Sequence, residues 1–126
     1  MKRLIFFFLV LQSAAKAETV LNFFTKDSKI EIYKYEDSRV SSTVKCTKLD
    51  RGHFCDELAF LKDLKNYKLK TMLHSGQSYG SAVCNEKLKG IVVVAKTKIG
   101  DENAFCRLKN NFYVELGTLG YYLNLK

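Results

Sequence analysis

Polar and apolar residues alternate along two neighbouring stretches near the start of the chain. Residues 29–35 alternate with a period of two, which is typical of a strand that buries one face. Residues 40–48 alternate again and place Val40, Val44 and Cys46 on one face. The polar residues 36–38 separate the two stretches, so the pattern predicts a β-hairpin.

The middle of the chain fits more than one kind of element. Residues 56–65 carry Leu58, Leu61 and Leu64 at helical spacing, although residues 57–61 also fit a strand. Residues 67–73 are predicted to form a strand, with Lys68 and Lys70 on one of its faces.

The second half of the chain predicts a short helix followed by strands. Ser81 is a good N-cap, and a helix over residues 82–89 would end at Gly90. The β-branched apolar run at residues 91–95 predicts a central, well-buried strand. Two further strands are predicted, at residues 104–108 and 112–116.

The two halves of the chain also resemble each other. Residues 54–61 line up with residues 112–119, sharing Phe, Glu and two Leu at matching positions. Such self-similarity is typical of a duplicated unit and predicts an internal repeat. The predicted fold is therefore α+β, with short helices packed on antiparallel β-hairpins in two related, disulfide-stapled units. The units are residues 18–74 and 75–126, together forming one compact domain.

Residues 1–17 have the organisation of a signal peptide. Lys2 and Arg3 precede an apolar run at residues 4–11, and residues 15–17 (Ala-Lys-Ala) form the small-x-small pattern that signal peptidase recognises. Eight apolar residues are too few to cross a membrane, which takes about 20 in a helix. We therefore expect a periplasmic or secreted protein that begins at Glu18 and does not span a membrane.

Four cysteines follow the predicted leader: Cys46, Cys55, Cys84 and Cys106. An even number of cysteines in an exported chain predicts two disulfide bonds. Of the three pairings, we expect Cys46 with Cys55 and Cys84 with Cys106, because both loops then close locally. A zinc site fits poorly, since zinc-binding cysteines usually lie two to four residues apart. No metal or other cofactor is predicted.

The charge and the aromatic residues predict a binding surface. The chain carries 21 basic and 13 acidic residues, a net charge of +8. Three of the basic residues lie in the leader, so the charge without it is +5, enough to favour an anionic envelope component or a protein partner. No motif for specific nucleic-acid binding is present. The candidate surface residues are Lys65, Lys68, Lys70, Tyr113, Tyr121 and Tyr122.

One short motif resembles a catalytic one. Residues 76–80 match the G-x-S-x-G pattern of serine hydrolases, with Ser78 as the nucleophile. In that fold a histidine follows the serine along the chain, whereas His53 and His74 both precede it. A connecting loop is the better interpretation, and we predict that the protein is not an enzyme.

Residues 46–61 (CTKLDRGHFCDELAFL) resemble a small bacterial exported, cysteine-containing domain of unknown function, some members of which carry a haemolysin label. The segment from Ser81 through Gly90 to Cys106 resembles the same domain's second signature. Leu58 stands where that family usually has tryptophan. The resemblance implies little chemistry, so we expect an exported, non-catalytic binding or interaction module in the cell envelope. The alternative is a secreted inhibitor or toxin-like effector that acts through a basic and aromatic surface.

Overall fold

Strands dominate the computed structural model, which describes residues 18–49, 52–70 and 78–124. The eight strands within these residues are β1 (Glu18–Phe24), β2 (Lys29–Tyr35), β3 (Val40–Ser42), β4 (Thr47–Leu49), β5 (Gly52–Phe54), β6 (Ile91–Lys96), β7 (Glu102–Leu108) and β8 (Phe112–Glu115). Six of them form a closed antiparallel barrel in the order β1-β2-β3-β8-β7-β6. β4 and β5 pair separately as a two-stranded hairpin.

Helical segments connect the strands and cover one side of the barrel. They are a 3-10 helix over Asp56–Asn66, α1 (Tyr79–Glu86), a 3-10 turn at Lys109–Asn111 and α2 (Leu116–Leu123). None of the helices in the described residues is long and apolar enough to cross a membrane.

The predicted fold, in which short helices pack on separate antiparallel hairpins, is wrong. β2 and β3 do form a hairpin, but the predicted second strand at residues 40–48 ends at Ser42, and residues 47–49 belong to β4 in the separate sheet. β3 also pairs with β8, at Ser42 and Val114. β1 in turn pairs with β6, at Phe24 and Lys96. Strands from both halves therefore share one barrel. Alternation along a strand reports which face is buried and not which strand lies beside it, so hairpins and barrels give the same pattern.

Large side chains fill the interior of the barrel. The ring of Phe23 meets that of Phe105 edge to face, with 5.1 Å between ring centroids. This geometry is favourable because the positive edge of one ring faces the negative face of the other. The buried side chains of this inner cluster are Phe23, Ile30, Ile32, Ala95, Phe105 and Tyr113.

A second core lies between the outer face of the barrel and the helices. The three leucines at helical spacing are all buried there, so the helical alternative for residues 56–65 is the correct one. Its backbone is a 3-10 helix with a kink at Leu58 rather than a regular α-helix. The buried members of this outer core are Val40, Leu58, Leu61, Leu64, Val83, Cys84, Cys106, Val114 and Leu119.

Two disulfide bonds join the cysteines in the predicted pairing. Cys46 bonds to Cys55, and Cys84 bonds to Cys106. The second bond connects α1 to β7, and both of its cysteines are fully buried in the outer core. Disulfides are typical of proteins that fold in an oxidising compartment.

Three further predicted elements differ from the structure. α1 begins at Tyr79 with Ser78 as its N-cap, because the Ser78 hydroxyl accepts a hydrogen bond from the Ser81 amide at 3.1 Å. β6 forms as predicted but is not well buried, since Ile91 and Val94 are 57% and 54% exposed. Residues 67–70 of the predicted strand 67–73 have no regular structure, and its remainder lies outside the described residues. The predicted leader also lies outside them, and the internal repeat stays a prediction.

Candidate functional site

One end of the barrel is polar where the rest of its interior is apolar. On β2, Ile30 and Ile32 point into the barrel, and Lys34, the next residue on that face, is exposed. On β8, Glu115 follows buried Tyr113 on the same face, and the register places it opposite Phe105. We call Lys34, Asn103 and Glu115 the barrel mouth, since all three continue inward-facing rows.

Glu115 is the residue of the barrel mouth whose pKa is shifted. Its carboxylate accepts a hydrogen bond from the Asn103 amide, with 3.1 Å between Nδ2 and Oε2. Burial raises the pKa of Glu115, because a carboxylate loses hydration there, and the nearby charge of Lys34 opposes the shift. Gly117 leaves room for this side chain, since a β-carbon at that position would lie 3.2 Å from Oε1. A half-buried carboxylate of this kind is a good partner for a hydrogen-bond donor on a ligand.

Two glycines let the helices cross at close range beside the barrel mouth. A β-carbon on Gly80 of α1 would overlap the carbonyl oxygen of Leu116 and lie 2.8 Å from its carbonyl carbon. Gly120 of α2 faces the same crossing, since its β-carbon would lie 3.7 Å from the Gly80 nitrogen. The contact therefore brings the two backbones together, and it places Tyr79 and Tyr121 on one cleft.

That cleft has a volume of about 790 Å³ and a mostly apolar lining, with two tyrosine rings and a few polar side chains. Tyr79 and Tyr121 are 50% and 37% exposed, and they are the exposed aromatic side chains among those that the structure describes. The Arg39 guanidinium lies 5.2 Å from the centroid of the Tyr121 ring, a distance at which a cation is attracted to the face of the ring. We call this site the tyrosine cleft; its polar side chains include Asn103, Glu115 and Asn124.

A second cleft, of about 540 Å³, adjoins the first. The two share Glu115, Gly117 and Tyr121, and the second adds the charged side chains of Lys34, Glu36 and Arg39. Thr118 fixes its wall to β3, because its buried hydroxyl accepts a hydrogen bond from the Ser41 amide at 3.0 Å. Neutral polar groups thus line one side of Glu115, and charged groups line the other.

The six residues of the predicted basic and aromatic surface do not lie together in the structure. Tyr113 is 6% exposed and lies inside the barrel, while Tyr122 is half-buried and donates its hydroxyl hydrogen to the Ser38 carbonyl. The lysines at 65, 68 and 70 are exposed but do not line the tyrosine cleft. Among the six candidate residues, Tyr121 is the one that lines it.

Ser78 of the G-x-S-x-G pattern lies at the edge of the same cleft, where it caps α1. Gly76, Gln77 and His74 lie outside the described residues, and so does the His53 side chain. Within the described residues, no group of three or more His, Cys, Asp or Glu side chains is arranged to hold a metal ion.

Sequence reasoning missed Tyr79, Asn103 and Glu115 as site residues. Glu115 carried a usable signal, because it occupies the inward-facing position after Tyr113 on a strand, where an apolar residue is expected. Comparisons of this chain with protein-family models, curated proteins and solved structures found no match. The functional argument therefore depends on the geometry and chemistry of the cleft.

Replacing Glu115 with glutamine is expected to stabilise the protein at pH 7. The raised pKa means that the folded state binds more protons than the unfolded state between the unfolded and folded pKa values. The free energy of unfolding therefore falls as the pH rises through that window. Above the window, the charged carboxylate destabilises the folded state. Urea unfolding should show a higher midpoint for Glu115→Gln at pH 7 and no gain below the unfolded pKa of about 4.3. Glu57→Gln, at an exposed position, is the control; an equal gain there would contradict the argument.

Proposed function

We propose that this protein is an exported, non-catalytic binding module that holds a short glycan in the tyrosine cleft. One observation carries the proposal: the exposed tyrosines at 79 and 121 line the same cleft as two amides and a half-buried carboxylate. Exposed aromatic rings are otherwise costly, because their apolar faces remain in contact with water. Their placement on one concave site is the usual arrangement of a binding pocket.

The lining suits the chemistry of a sugar. A sugar ring has an apolar C–H face that can lie on a tyrosine ring, and its hydroxyl groups both donate and accept hydrogen bonds. The amides of Asn103 and Asn124 offer donors and acceptors, and the Glu115 carboxylate offers acceptors. A volume of about 790 Å³ lies within the range of about 300–1,000 Å³ that is common for small-ligand sites.

The adjoining cleft favours a glycan that carries an acidic substituent. Lys34 and Arg39 line that cleft and would attract a carboxylate or a phosphate, and Glu36 offers the opposite charge at the rim. The positive charge of the whole chain acts in the same direction. The acidic group would then lie against Lys34 and Arg39, while Glu115, which lines both clefts, accepts hydrogen bonds from sugar hydroxyl groups.

The lining supports binding rather than cleavage. Glycoside hydrolases generally act with two carboxyl groups on either side of the bond that is broken. Among the described residues that line the tyrosine cleft, Glu115 is the one carboxylate; Glu36, the second carboxylate of the adjoining cleft, is exposed. The alternative, an inhibitor or toxin-like effector with a basic and aromatic surface, has less support, because Tyr113 is buried and Tyr122 is half-buried.

Calorimetric titration with neutral trisaccharides and one acidic trisaccharide tests the proposal. We expect saturable binding, tighter for the acidic sugar, and at least tenfold weaker binding by Tyr79→Ala and Tyr121→Ala. Tenfold corresponds to about 1.4 kcal/mol, the upper part of the range for an aromatic contact. Tyr33→Ala is the matched control, since Tyr33 lies on β2 and lines neither cleft around Glu115.

Three results would contradict the proposal. The first is that none of the trisaccharides saturates the protein. The second is that Tyr33→Ala weakens binding as much as Tyr121→Ala. The third is release of new reducing ends by the wild-type protein but not by Glu115→Gln, which would show hydrolysis in place of binding.

A further inference from the structure

The barrel is closed where β1 meets β6, and a single residue pair joins these two strands. β1 pairs with β2 over seven residues, and β6 pairs with β7 over six. Between β1 and β6, the one pair in the described residues is Phe24 with Lys96. On its outer edge, β6 therefore has no strand partner among the described residues from Ile91 to Ala95.

This open edge of β6 is apolar and exposed. Residues 91–94 are Ile-Val-Val-Val, a β-branched sequence that favours an extended strand. Ile91 and Val94 keep more than half of their surface exposed. An open strand edge presents N–H and C=O groups to which another extended chain can hydrogen-bond, and proteins usually cover such an edge. The β6 edge thus has the features of a site for strand addition.

Lysines lie on both sides of the apolar segment. Lys87 and Lys89 precede β6, and Lys96 and Lys98 lie at its end and just beyond it, all of them exposed. Lys96 contacts Glu102 at 3.4 Å, but both side chains are mostly exposed, so this ion pair contributes little. An added strand would therefore meet positive charge at each of its ends.

The charges oppose pairing of β6 with a second copy of itself. An antiparallel pair centred on β6 would bring Lys89 of one copy close to Lys96 of the other, since these two lysines lie nearest to the apolar segment. A parallel pair would place each lysine beside its own counterpart. Like charges on opposing strands are unfavourable, whereas opposite charges stabilise the pair.

We propose that the β6 edge binds an extended segment of another protein, with an apolar centre and acidic residues at both ends. The segment adds a strand to β6 along residues 91–95. Backbone hydrogen bonds supply affinity, Ile91 and Val94 contact its apolar side chains, and the flanking lysines select acidic ends. This interaction is independent of the tyrosine cleft.

The test uses a synthetic peptide with a centre of four valines and two aspartates at each end, because Ile91 and Val94 lie on opposite faces of β6 and the peptide must be apolar on both. We expect saturable binding that weakens with salt, and slower hydrogen exchange of the backbone amides within residues 91–95 when the peptide is bound. The double variant Ile91→Thr with Val94→Thr keeps β-branched residues and should bind at least tenfold more weakly. Ile99→Thr is the control, because Ile99 is 86% exposed but lies in the turn after β6, and it should bind like the wild type.

The result that overturns the proposal is measured on the wild-type protein, so it does not depend on the folding of a variant. Equal binding of the same peptide with lysines at its ends would remove the charge argument. Unchanged exchange at residues 91–95, or equal binding of a backbone N-methylated peptide, would rule out strand addition. Protection of these amides without peptide, together with a dimer in sedimentation, would assign the edge to a second copy instead.

Discussion

Replacing Gly80 with alanine is expected to destabilise the protein by about 3 kcal/mol, the upper end of the cost of overpacking a core. The new methyl group would overlap the backbone carbonyl of Leu116, which cannot rotate away as a side chain could. α1 and α2 would have to separate, and the outer core between them and the barrel would lose contacts. Because Tyr79 and Tyr121 lie on these two helices, the tyrosine cleft would also change shape.

Gly120→Ala is the matched control for this substitution. Its β-carbon would lie at an ordinary contact distance of 3.7 Å from the nearest atom, and alanine favours a helix by up to about 1 kcal/mol over glycine. We expect this variant to be as stable as the wild type or slightly more so. Urea unfolding of the two variants makes the comparison; similar losses in both would show that the crossing tolerates a methyl group and that the close contact is not required.

Removing the disulfide between Cys84 and Cys106 is expected to have a still larger effect. A cross-link that closes a loop with a separation of 22 residues is worth about 3.4 kcal/mol in the chain-entropy description, against about 2.6 kcal/mol for the separation of nine between Cys46 and Cys55. Both Cys84 and Cys106 are also fully buried, so their replacement by alanine loses packing in the outer core. The total approaches the whole stability of a small domain, about 5 kcal/mol at the low end.

Thermal and urea unfolding of two double variants would measure this difference. The double variant Cys84→Ala with Cys106→Ala should be largely unfolded at 37 °C. The double variant Cys46→Ala with Cys55→Ala should retain a cooperative unfolding transition. Cys46 and Cys55 flank the small β4–β5 hairpin, outside the barrel. The reverse order of stability would show that this hairpin, and not the link from α1 to β7, limits the stability of the fold.

Local features of the structure follow from the sequence, because they depend on residues close together in the chain. The hairpin of β2 and β3, the leucines of the 3-10 helix and the two disulfides all belong to this group. Each is set by a period, a turn or a short loop. These signals are strong enough to be recognised without knowing what lies on the other side of the core.

The closed barrel could not be predicted in the same way. Alternation on β2 stops after Ile32, since Lys34 is exposed at the mouth and Tyr35 is buried on the opposite face. The apolar run of β6 predicts burial. In the barrel, however, β6 pairs with β1 at one residue only, so part of the run is exposed. These outcomes depend on neighbours that are distant in sequence.

α2 was not predicted because its sequence contains two glycines, which weaken the helical pattern. Residues 116–123 contain Gly117 and Gly120, and each glycine costs a helix about 1 kcal/mol relative to alanine. Both are explained by the site: Gly117 makes room for the Glu115 carboxylate, and Gly120 lies at the crossing with Gly80. The same two residues that weaken the helical pattern therefore shape the candidate binding site.

The connections that close the barrel also bear on the order in which the chain folds. Contacts between β3 and the C-terminal part of the chain join residues 70 apart, at Thr43 and Tyr113, and 77 apart, at Ser41 and Thr118. Both disulfides, by contrast, span 22 residues or fewer. Long-range pairing is slow because the intervening chain must first lose conformational entropy. The loops that the disulfides close therefore cost less conformational entropy than the pairing of β3 with β8, so we expect closure of the barrel to be the slow step of folding.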